Sequence, residues 1–345
     1  MVDLVLHPGH SKCGSTTIQD FIYNNREVFR QRGIFLPDVN FNFPNSEQYQ
    51  FQLTQTPRDY LAKVQSGEIS IAELEEKLDR LISSAEEQGC RRVIISAENL
   101  INAIASEKTK SIHELLNRKF SSVRIVYYIR KQDSLMVSAW QQWGHKAGET
   151  LDSYIKKMSK TKFGNFLFIT RHLRKYYPNQ VVKVFPLSRK HLVKENLLFD
   201  FCSRAQINVN NLNMDIQDSN SGLSSAMCHS LSRINDIYSD IHDQKIKDRI
   251  TEICPNSTTL LSKKYQHDLS SELASLLYDK YQESNELLAK RYFPKVPFDE
   301  VLSLKPTIES DDEILMLNEK IKKLEDLTAL QMDMILTLQS KVSKL

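Results

Sequence analysis

Strand-like and helix-like segments alternate along the first half of this chain, and this alternation constrains the fold more than any other feature. Three runs are continuous, apolar and rich in β-branched or aromatic residues: RVIIS at 92–96, VRIVYYI at 123–129 and VVKVFP at 181–186. Such runs are typical of strands buried on both faces of a parallel sheet. LVLH at 4–7 has the same character, and IFLP at 34–37 is a candidate short strand. The pattern predicts a three-layer α/β fold with a central parallel sheet.

The segments between these runs favour helices. A charged amphipathic pattern predicts a helix from about 70 to 88, and helix-like sequence spans 106–119. A further helix is expected to start near Asp133. Residues 38–66 are rich in Asn, Gln, Pro and aromatics and only weakly periodic, so we interpret them as a long excursion over the active-site face. From about residue 222 onward, the sequence predicts helices only.

The C-terminal segment has a heptad pattern. Apolar residues repeat there at 3,4,3,4 spacing, with polar interruptions at Thr328 and Gln331: Ile314, Leu317, Ile321, Leu324, Thr328, Gln331, Ile335, Leu338, Val342 and Leu345. This a/d seam favours an oligomerising coiled coil, although one amphipathic helix packed back on its own domain is the alternative. The predicted organisation is a domain over 1–300, a linker over 301–312 and a coiled-coil helix over 313–345.

Composition excludes several classes of protein. The chain has 345 residues, is 41% hydrophobic and 26% charged, and carries a net charge of +3, so nothing indicates bulk binding of nucleic acid. Its five cysteines are scattered and include no C-x-x-C pair, which argues against a disulfide framework or a zinc site. No secretory signal pattern and no transmembrane segment is recognisable, so we expect a cytoplasmic protein.

The stretch LVLHPGHSKCGSTTIQDFI at 4–22 predicts a strand, a loop and a helix. An ATPase loop would read G-x-x-x-x-G-K-[ST], but here Ser15 follows Gly14, and Lys12 precedes it. A γ-phosphate would therefore lose its usual lysine, whereas a phosphate at the helix N-terminus would keep its backbone donors. Lys12, Ser15, Thr16 and Thr17 would supply one cation and three hydroxyls to such an anion.

The segment SKCGSTTIQDFI resembles the P-K-T-G-T-T-x-L-Q loop of PAPS-dependent sulfotransferases, which binds the 5′-phosphosulfate of 3′-phosphoadenosine-5′-phosphosulfate. It departs from that pattern with Ser11 for proline, Cys13 for threonine and Ser15 for threonine. We expect Cys13 to act through its backbone N–H. The resemblance implies a cofactor-binding loop made of Lys12, Cys13, Gly14, Ser15, Thr16 and Thr17.

A second block, VRIVYYIRKQDSLMVSAWQQ at 123–142, is similar to the second signature of that family: a strand, an arginine at its carboxyl end and a serine eight residues later. The resemblance implies that Arg130 and Ser138 hold the 3′-phosphate. An arginine that caps a strand and a serine on an exposed helix turn are the alternative. Weaker similarities at 181–207 and 281–294 extend the resemblance over roughly residues 1–295, to bacterial carbohydrate-type members on a P-loop-like fold.

Sulfuryl transfer requires a base for the acceptor. Glu98, just past the second strong strand, is the first candidate, although an N-cap or first-turn residue is a close rival interpretation. His10 is the second candidate. His145 is the third, with a residue that simply faces solvent as the alternative. His7 is more often a hydrogen-bonded structural residue at such a position.

The resemblance implies transfer of the sulfuryl group from PAPS to a hydroxyl or amine of a carbohydrate or glycolipid, with Lys12 stabilising the leaving phosphate and no metal. Aromatic residues that could stack on sugar rings are Tyr49, Phe51, Tyr60, Trp140 and Trp143, although core packing is the commoner role. The basic run RHLRKYY at 171–177 would steer an anionic acceptor or form a solvated face. The alternatives to a sulfotransferase are a P-loop nucleotide kinase and a non-catalytic nucleotide-binding scaffold that assembles through its coiled coil.

Overall fold

A computed structural model of the chain divides into two compact units that interleave along the sequence. The first comprises Met1–Arg130, Asn165–Ser219 and Ser284–Leu302, and the second comprises Lys131–Gly164, Asn220–Glu283 and Ser303–Leu345. The structure describes residues 1–42, 56–215, 222–234, 236–254, 256–265, 269–305 and 312–342.

The first unit contains a five-stranded sheet in which every pair of neighbouring strands is parallel. The strand order is β2-β3-β1-β4-β5. The strands are β1 Asp3–His7, β2 Ile34–Phe35, β3 Arg92–Ser96, β4 Val123–Ile129 and β5 Val181–Pro186. The predicted strands and the parallel α/β class are therefore confirmed. Of the IFLP run, two residues form β2.

The carboxyl ends of the strands meet at one edge of this sheet. His7 at the end of β1 pairs with Ser96 at the end of β3, and Ile129 at the end of β4 pairs with Pro186 at the end of β5. After β1, the chain builds β2 and β3 on one side of that strand and then crosses to β4 on the other. In open α/β sheets, ligands bind outside the carboxyl ends of the strands where the direction of winding changes in this way.

Helices of the first unit follow the strands that the alternation predicts. Ser70 and Ser106 occupy the N-cap positions of α4 and α5, where each side chain accepts a hydrogen bond from a backbone N–H three residues later. Helix α1 contacts α9, which also contacts β4, while α5 contacts α3, α4 and α8. The helices are α1 Ser15–Asn24, α2 Arg26–Gln31, α3 Arg58–Ser66, α4 Ile71–Glu87, α5 Glu107–Lys119, α8 Phe166–Tyr176, α9 Leu197–Ala205 and α14 Phe298–Val301.

The second unit has a helical core of its own. Trp140 is a fully buried member of this core, and its indole N–H donates to the carbonyl of Glu149 at 2.8 Å. The predicted helix near Asp133 is α6. The elements described beyond residue 222 are all helices, as predicted. The helices that belong wholly or partly to this unit are α6 Gln132–Ala139, α7 Leu151–Ser159, α10 Ser225–Leu231, α11 Lys245–Ile253, α12 Thr258–Leu261, α13 Ser271–Tyr292 and α15 Asp312–Val342.

The C-terminal segment forms one long helix, α15, that packs on the helices of its own unit. It contacts α10, α11 and α12, and Leu330 is buried against the core of the unit. Asp326 forms an ion pair with Lys263 and accepts a hydrogen bond from the Tyr265 hydroxyl at 2.9 Å. No helix in the described parts of the chain carries an apolar stretch long enough to cross a lipid bilayer.

Candidate functional site at the carboxyl edge of the sheet

The loop between β1 and α1 is held in a strained conformation. Both Lys12 and Gly14 adopt left-handed backbone geometry, with φ values of 65° and 79°. For lysine this conformation costs about 1–2 kcal/mol. The carbonyl of His10 accepts hydrogen bonds from the Cys13 N–H at 3.0 Å and from Ser15 Oγ at 3.1 Å. These contacts hold a lysine in a strained position at the start of a helix, which is a frequent arrangement at functional sites.

Two glycines of this loop allow neighbouring side chains to approach closely. A Cβ atom on Gly14 would lie 2.5 Å from Cδ2 of Leu197, and a Cβ atom on Gly9 would lie 3.1 Å from Cγ of Glu98. Both glycines have positive φ values. Glycine at position 9 therefore lets the turn after β3 pack directly against the loop after β1.

Glu98 lies in the 3₁₀ turn Glu98–Ile101 beside this loop. Its carboxyl group forms a hydrogen bond with the hydroxyl of Ser15, and the positive charges of Arg58 and Lys12 are close enough to act on it. Burial raises the pKa of Glu98, while those two cations and the hydrogen bond oppose the shift. The side chain is thus a partly buried carboxyl group with a raised pKa next to the loop lysine. Such a group fits a general base.

Arg130 reaches the same loop from the end of β4. Its guanidinium Nη1 donates to the backbone carbonyl of Lys12 at 3.3 Å. The positive charges of Arg130 and Lys12 both act on the thiol of Cys13, yet burial outweighs them and raises the thiol pKa to about 12. The Cys13 side chain is therefore a buried neutral thiol, and it is the Lys12 and Arg130 cations that give this edge of the sheet its positive charge.

The two histidines of this region are buried and neutral. Nδ1 of His7 lies 2.8 Å from the Ser96 hydroxyl, joining β1 to β3, and burial lowers the pKa of His7 to about 3. Nδ1 of His10 lies 3.0 Å from the carbonyl of Ser11, and burial lowers the pKa of His10 to about 4. The structural role expected for His7 matches its place between the strands. Burial thus lowers the pKa of His10 and raises the pKa of Glu98, which makes Glu98 the better candidate for a base.

His145, the third candidate base, lies within the second unit. Its ring nitrogens lie 3.2 Å from the carbonyl of Trp140 and 3.2 Å from the Tyr238 hydroxyl, and burial lowers its pKa to about 4. The interpretation of His145 as a solvent-facing residue is wrong, because a turn of π-helix at Trp140–Gly144 carries it into the core.

The other candidate residues have varied surroundings. Thr16 and Thr17 are partly buried in the first turn of α1, and Ser138 is partly buried on α6 in the second unit. Trp140 and Tyr60 are core residues, and Trp143 packs against the core of the second unit. Tyr49 and Phe51 lie outside the described residues.

Sequence reasoning missed two contributors to this site. Arg58, at the start of α3, lies close enough to Glu98 to affect its charge. Asp200 on α9 is fully buried, and it accepts a hydrogen bond from the Tyr128 hydroxyl at 2.7 Å and pairs with Arg204 at 3.1 Å. The hydrogen bond from Tyr128 ties α9, which carries Leu197, to β4. The contacts of Arg58 with Glu98 and of Asp200 with Tyr128 are distant in sequence, so no local pattern marks them.

Comparison with protein-family models and with curated proteins finds no match for this chain. The function therefore has to be argued from the residues of the site. Lys12 and Arg130 form a cationic edge next to a helix N-terminus, and Glu98 stands on the other side of the loop. Chemically, this arrangement suits a bound anion whose leaving group needs a positive charge and whose attacking group needs a base.

Proposed function

We propose that this chain is a PAPS-dependent sulfotransferase that transfers the sulfuryl group to a hydroxyl or amine of a carbohydrate or glycolipid acceptor. The observation that carries the proposal is the convergence of three strand ends: the Lys12 loop after β1, Glu98 after β3 and Arg130 after β4. The proposal includes a P-loop-like arrangement of the sheet. The strand order and the strand–loop–helix unit at the N-terminus support it.

The 5′-phosphosulfate would bind at the start of α1. The first N–H groups of a helix lack intrahelical partners and attract anions, and the left-handed Gly14 precedes Ser15 there. The Ser15 hydroxyl already bonds to the loop and to Glu98, so we assign Ser15 a role through its backbone N–H. The Cys13 thiol is buried and its N–H already donates to the His10 carbonyl, so Cys13 shapes the loop, and the expectation that its N–H binds the anion is not supported.

The chemistry is an in-line displacement at sulfur. The acceptor oxygen or nitrogen forms a bond to sulfur while the bond from sulfur to the bridging phosphate oxygen breaks, and 3′,5′-ADP leaves. Negative charge grows on that oxygen in the transition state. The Lys12 ammonium would neutralise it, which is electrostatic stabilisation by a preorganised charge.

Glu98 would take the proton from the acceptor. A carboxyl group with a raised pKa is a stronger base than an ordinary carboxylate once it is ionised. The positive charges of Lys12 and Arg58 keep ionisation accessible despite burial. Glu98 therefore ranks before His10 in this proposal, and His145 has no role in it because it is enclosed in the core of the second unit.

Arg130 would bind the 3′-phosphate. A guanidinium group matches a phosphate dianion with two parallel hydrogen bonds, and Arg130 stands at a strand end next to the Lys12 loop. Ser138, which the resemblance pairs with Arg130, belongs to the other unit, and its role stays a prediction.

The test is a comparison of nucleotides in thermal unfolding. We expect 3′,5′-ADP to raise the melting temperature clearly more than AMP does, and more than ATP with magnesium, because it alone carries a 3′-phosphate. A ligand at about 100 times its Kd adds about 2.7 kcal/mol to stability. Equal shifts with 3′,5′-ADP and AMP would rule out the 3′-phosphate site, and a larger shift with ATP and magnesium would favour a kinase.

A variant and its control test whether Arg130 is responsible for the larger shift in melting temperature with 3′,5′-ADP. Arg130→Ala should remove most of the difference between 3′,5′-ADP and AMP, while Arg171→Ala, an exposed arginine on α8, should leave it unchanged. Transfer of labelled sulfate from PAPS to a panel of carbohydrate acceptors then separates an enzyme from a scaffold that only binds nucleotide. Binding without transfer to any acceptor would favour the scaffold.

A further inference from the structure

Helix α15 presents two apolar faces, and its own unit covers one of them. Leu330 is buried, and Leu327 and Met334 are partly buried against the core of the second unit. Among the described side chains of α15, eight large apolar ones are exposed, and six of them, each between 47 and 68% exposed, share one face: Leu317, Ile321, Leu324, Ile335, Leu338 and Val342. An exposed row of large apolar side chains of this kind marks an interaction surface. We call this row the seam.

The seam follows heptad rules for a particular assembly. With Ile321 at position a, the a positions of the described side chains are Ile321, Thr328, Ile335 and Val342, all β-branched. The d positions are Leu317, Leu324, Gln331 and Leu338, three of them leucine. β-Branched residues at a with leucine at d favour two parallel strands over trimers or tetramers. Of the residues that pack inside the unit, Leu330 falls at position c and Asp326 at f, away from the seam, whereas Leu327 and Met334 fall at g on its flank.

We propose that the seam binds the same seam of a second copy of this chain, as a parallel, in-register, two-stranded coiled coil, while α15 stays packed on its own unit. In that arrangement, each a or d residue contacts the same residue of the other helix, as the two-fold symmetry of a homodimer requires. The inference rests on α15 alone, so it stands or falls independently of the proposed sulfuryl transfer.

Charge complementarity selects the parallel orientation. Lys320 occupies position g and Glu325 the following position e, and both side chains are exposed. In a parallel dimer, g of one helix faces the next e of its partner, so each lysine meets a glutamate. An antiparallel dimer sets g against g, and the charged g residues with described side chains are Lys320 and Lys341.

The polar layers in the middle of the seam add specificity for register. Thr328 and Gln331 are exposed and interrupt the apolar pattern at successive a and d positions. In the in-register parallel dimer, Thr328 meets Thr328 and Gln331 meets Gln331, so each polar group finds a polar partner. A shift by one heptad would set each against an apolar residue and leave buried polar groups without partners, which is unfavourable.

Two leucines of α15 provide a matched test of the assembly. Leu338, 47% exposed, lies in the seam at d, whereas Leu336, 59% exposed, lies at b. We expect the full chain to be a dimer in light scattering and sedimentation equilibrium. Leu338→Glu should weaken dimerisation by at least about 100-fold, the cost of burying an unpaired charge, while Leu336→Glu should dimerise normally. A monomeric or tetrameric parent, or equal effects of the two variants, would overturn the proposal.

A cysteine variant tests the orientation. The described native cysteines, Cys13, Cys90, Cys202, Cys228 and Cys254, are all buried, so an added cysteine in the seam should react alone. Leu317→Cys should form a disulfide-linked dimer under mild oxidation, because its two copies face each other across the parallel interface. In an antiparallel dimer, the two copies would lie about 38 Å apart along the axis. A dimer that does not crosslink at this position would overturn the parallel arrangement.

Discussion

In most proteins, polar side chains are exposed and large apolar ones are buried. The loop region of the first unit and the C-terminal helix of the second depart from this rule in opposite ways. At the loop, polar and titratable side chains such as His7, His10 and Ser15 are buried. On α15, large apolar side chains such as Leu324 and Val342 are exposed. Buried polar groups and exposed apolar stripes are both unfavourable unless something compensates for them. We therefore expect chemistry at the first region and association at the second.

The compensation differs between the two regions. At the loop most of it is present within the chain, since Ser96, Ser11 and the His10 carbonyl provide hydrogen-bond partners, although Nε2 of His7 is buried without one. On the exposed face of α15, it would come from a second chain. Changes at the loop should therefore alter turnover and stability, whereas changes on the seam should alter association.

The largest effect is expected for Lys12→Ala. Loss of the charge beside the leaving phosphate should lower the transfer rate by about 10²–10³-fold, as loss of one transition-state donor does elsewhere. Nucleotide affinity should fall much less, because the backbone donors of the loop remain. Rates with labelled PAPS and titrations with 3′,5′-ADP check both expectations. Lys108→Ala, an exposed lysine on α5, is the control, and unchanged turnover in Lys12→Ala would remove Lys12 from the mechanism.

Glu98→Gln should lower the transfer rate by about 10²–10⁴-fold, the usual contribution of a general base. Because burial raises the pKa of Glu98, activity of the parent should fall as pH drops through a value above the ordinary 4.5. The residual activity of Glu98→Gln should not show this decrease at acidic pH. Glu87→Gln, which replaces an exposed glutamate on α4, should keep both the parent rate and the decrease. If the activity of Glu98→Gln still falls at acidic pH in the same way, another group is the base.

Gly14→Ala should destabilise the fold by about 2–4 kcal/mol, through left-handed strain and overpacking against Leu197. Gly89→Ala has a similar φ but open space around its Cβ, so it should cost only the strain, about 1–2 kcal/mol. Urea unfolding measures both. In a background that already carries Leu197→Ala, Gly14→Ala should cost less free energy of unfolding, because the overpacking against Leu197 is gone. An equal cost in both backgrounds would contradict the close contact between Gly14 and Leu197.

The buried histidines should make stability depend on pH. The pKa values of His7, His10, His113 and His145 are lowered to about 3 or 4, so these side chains stay neutral in the folded state. Below about pH 6.5 the unfolded chain gains protons that the folded chain does not bind, so stability is lost as pH falls from 6.5 towards 4. The slope is about 1.4 kcal/mol per pH unit for each such histidine. Urea unfolding at pH 7, 6 and 5 measures this slope. A free energy of unfolding that does not change with pH would contradict the burial of these histidines.

The smallest effect concerns the charges beside the seam. Lys320→Glu should weaken dimerisation only several-fold, because exposed ion pairs contribute about 0.2–1 kcal/mol each. The double variant Lys320→Glu with Glu325→Lys should restore the parent dimer constant. Sedimentation equilibrium at low and moderate salt measures the difference, which should shrink as salt screens the charges. A double variant as weak as the single one would refute the pairing.

Local patterns were sufficient to predict many elements of this protein, although not α3 at Arg58–Ser66, which lies in the stretch interpreted as an excursion. The apolar runs at 92–96, 123–129 and 181–186 became β3, β4 and β5 with the predicted bounds, and Ser70 and Ser106 marked the starts of α4 and α5. Periodicity and capping act within a few residues, so the sequence is sufficient to predict them. The heptads of the C-terminal segment likewise predicted one long helix.

Only the tertiary structure decided which distant residues meet. It brought Glu98 against Gly9, Arg130 against the Lys12 carbonyl and Arg58 towards Glu98. It also enclosed His145, which the sequence left open to solvent, and showed which face of α15 its own unit covers. These facts depend on strand order and helix packing, which are set by the summed burial of the whole chain. No short segment encodes them.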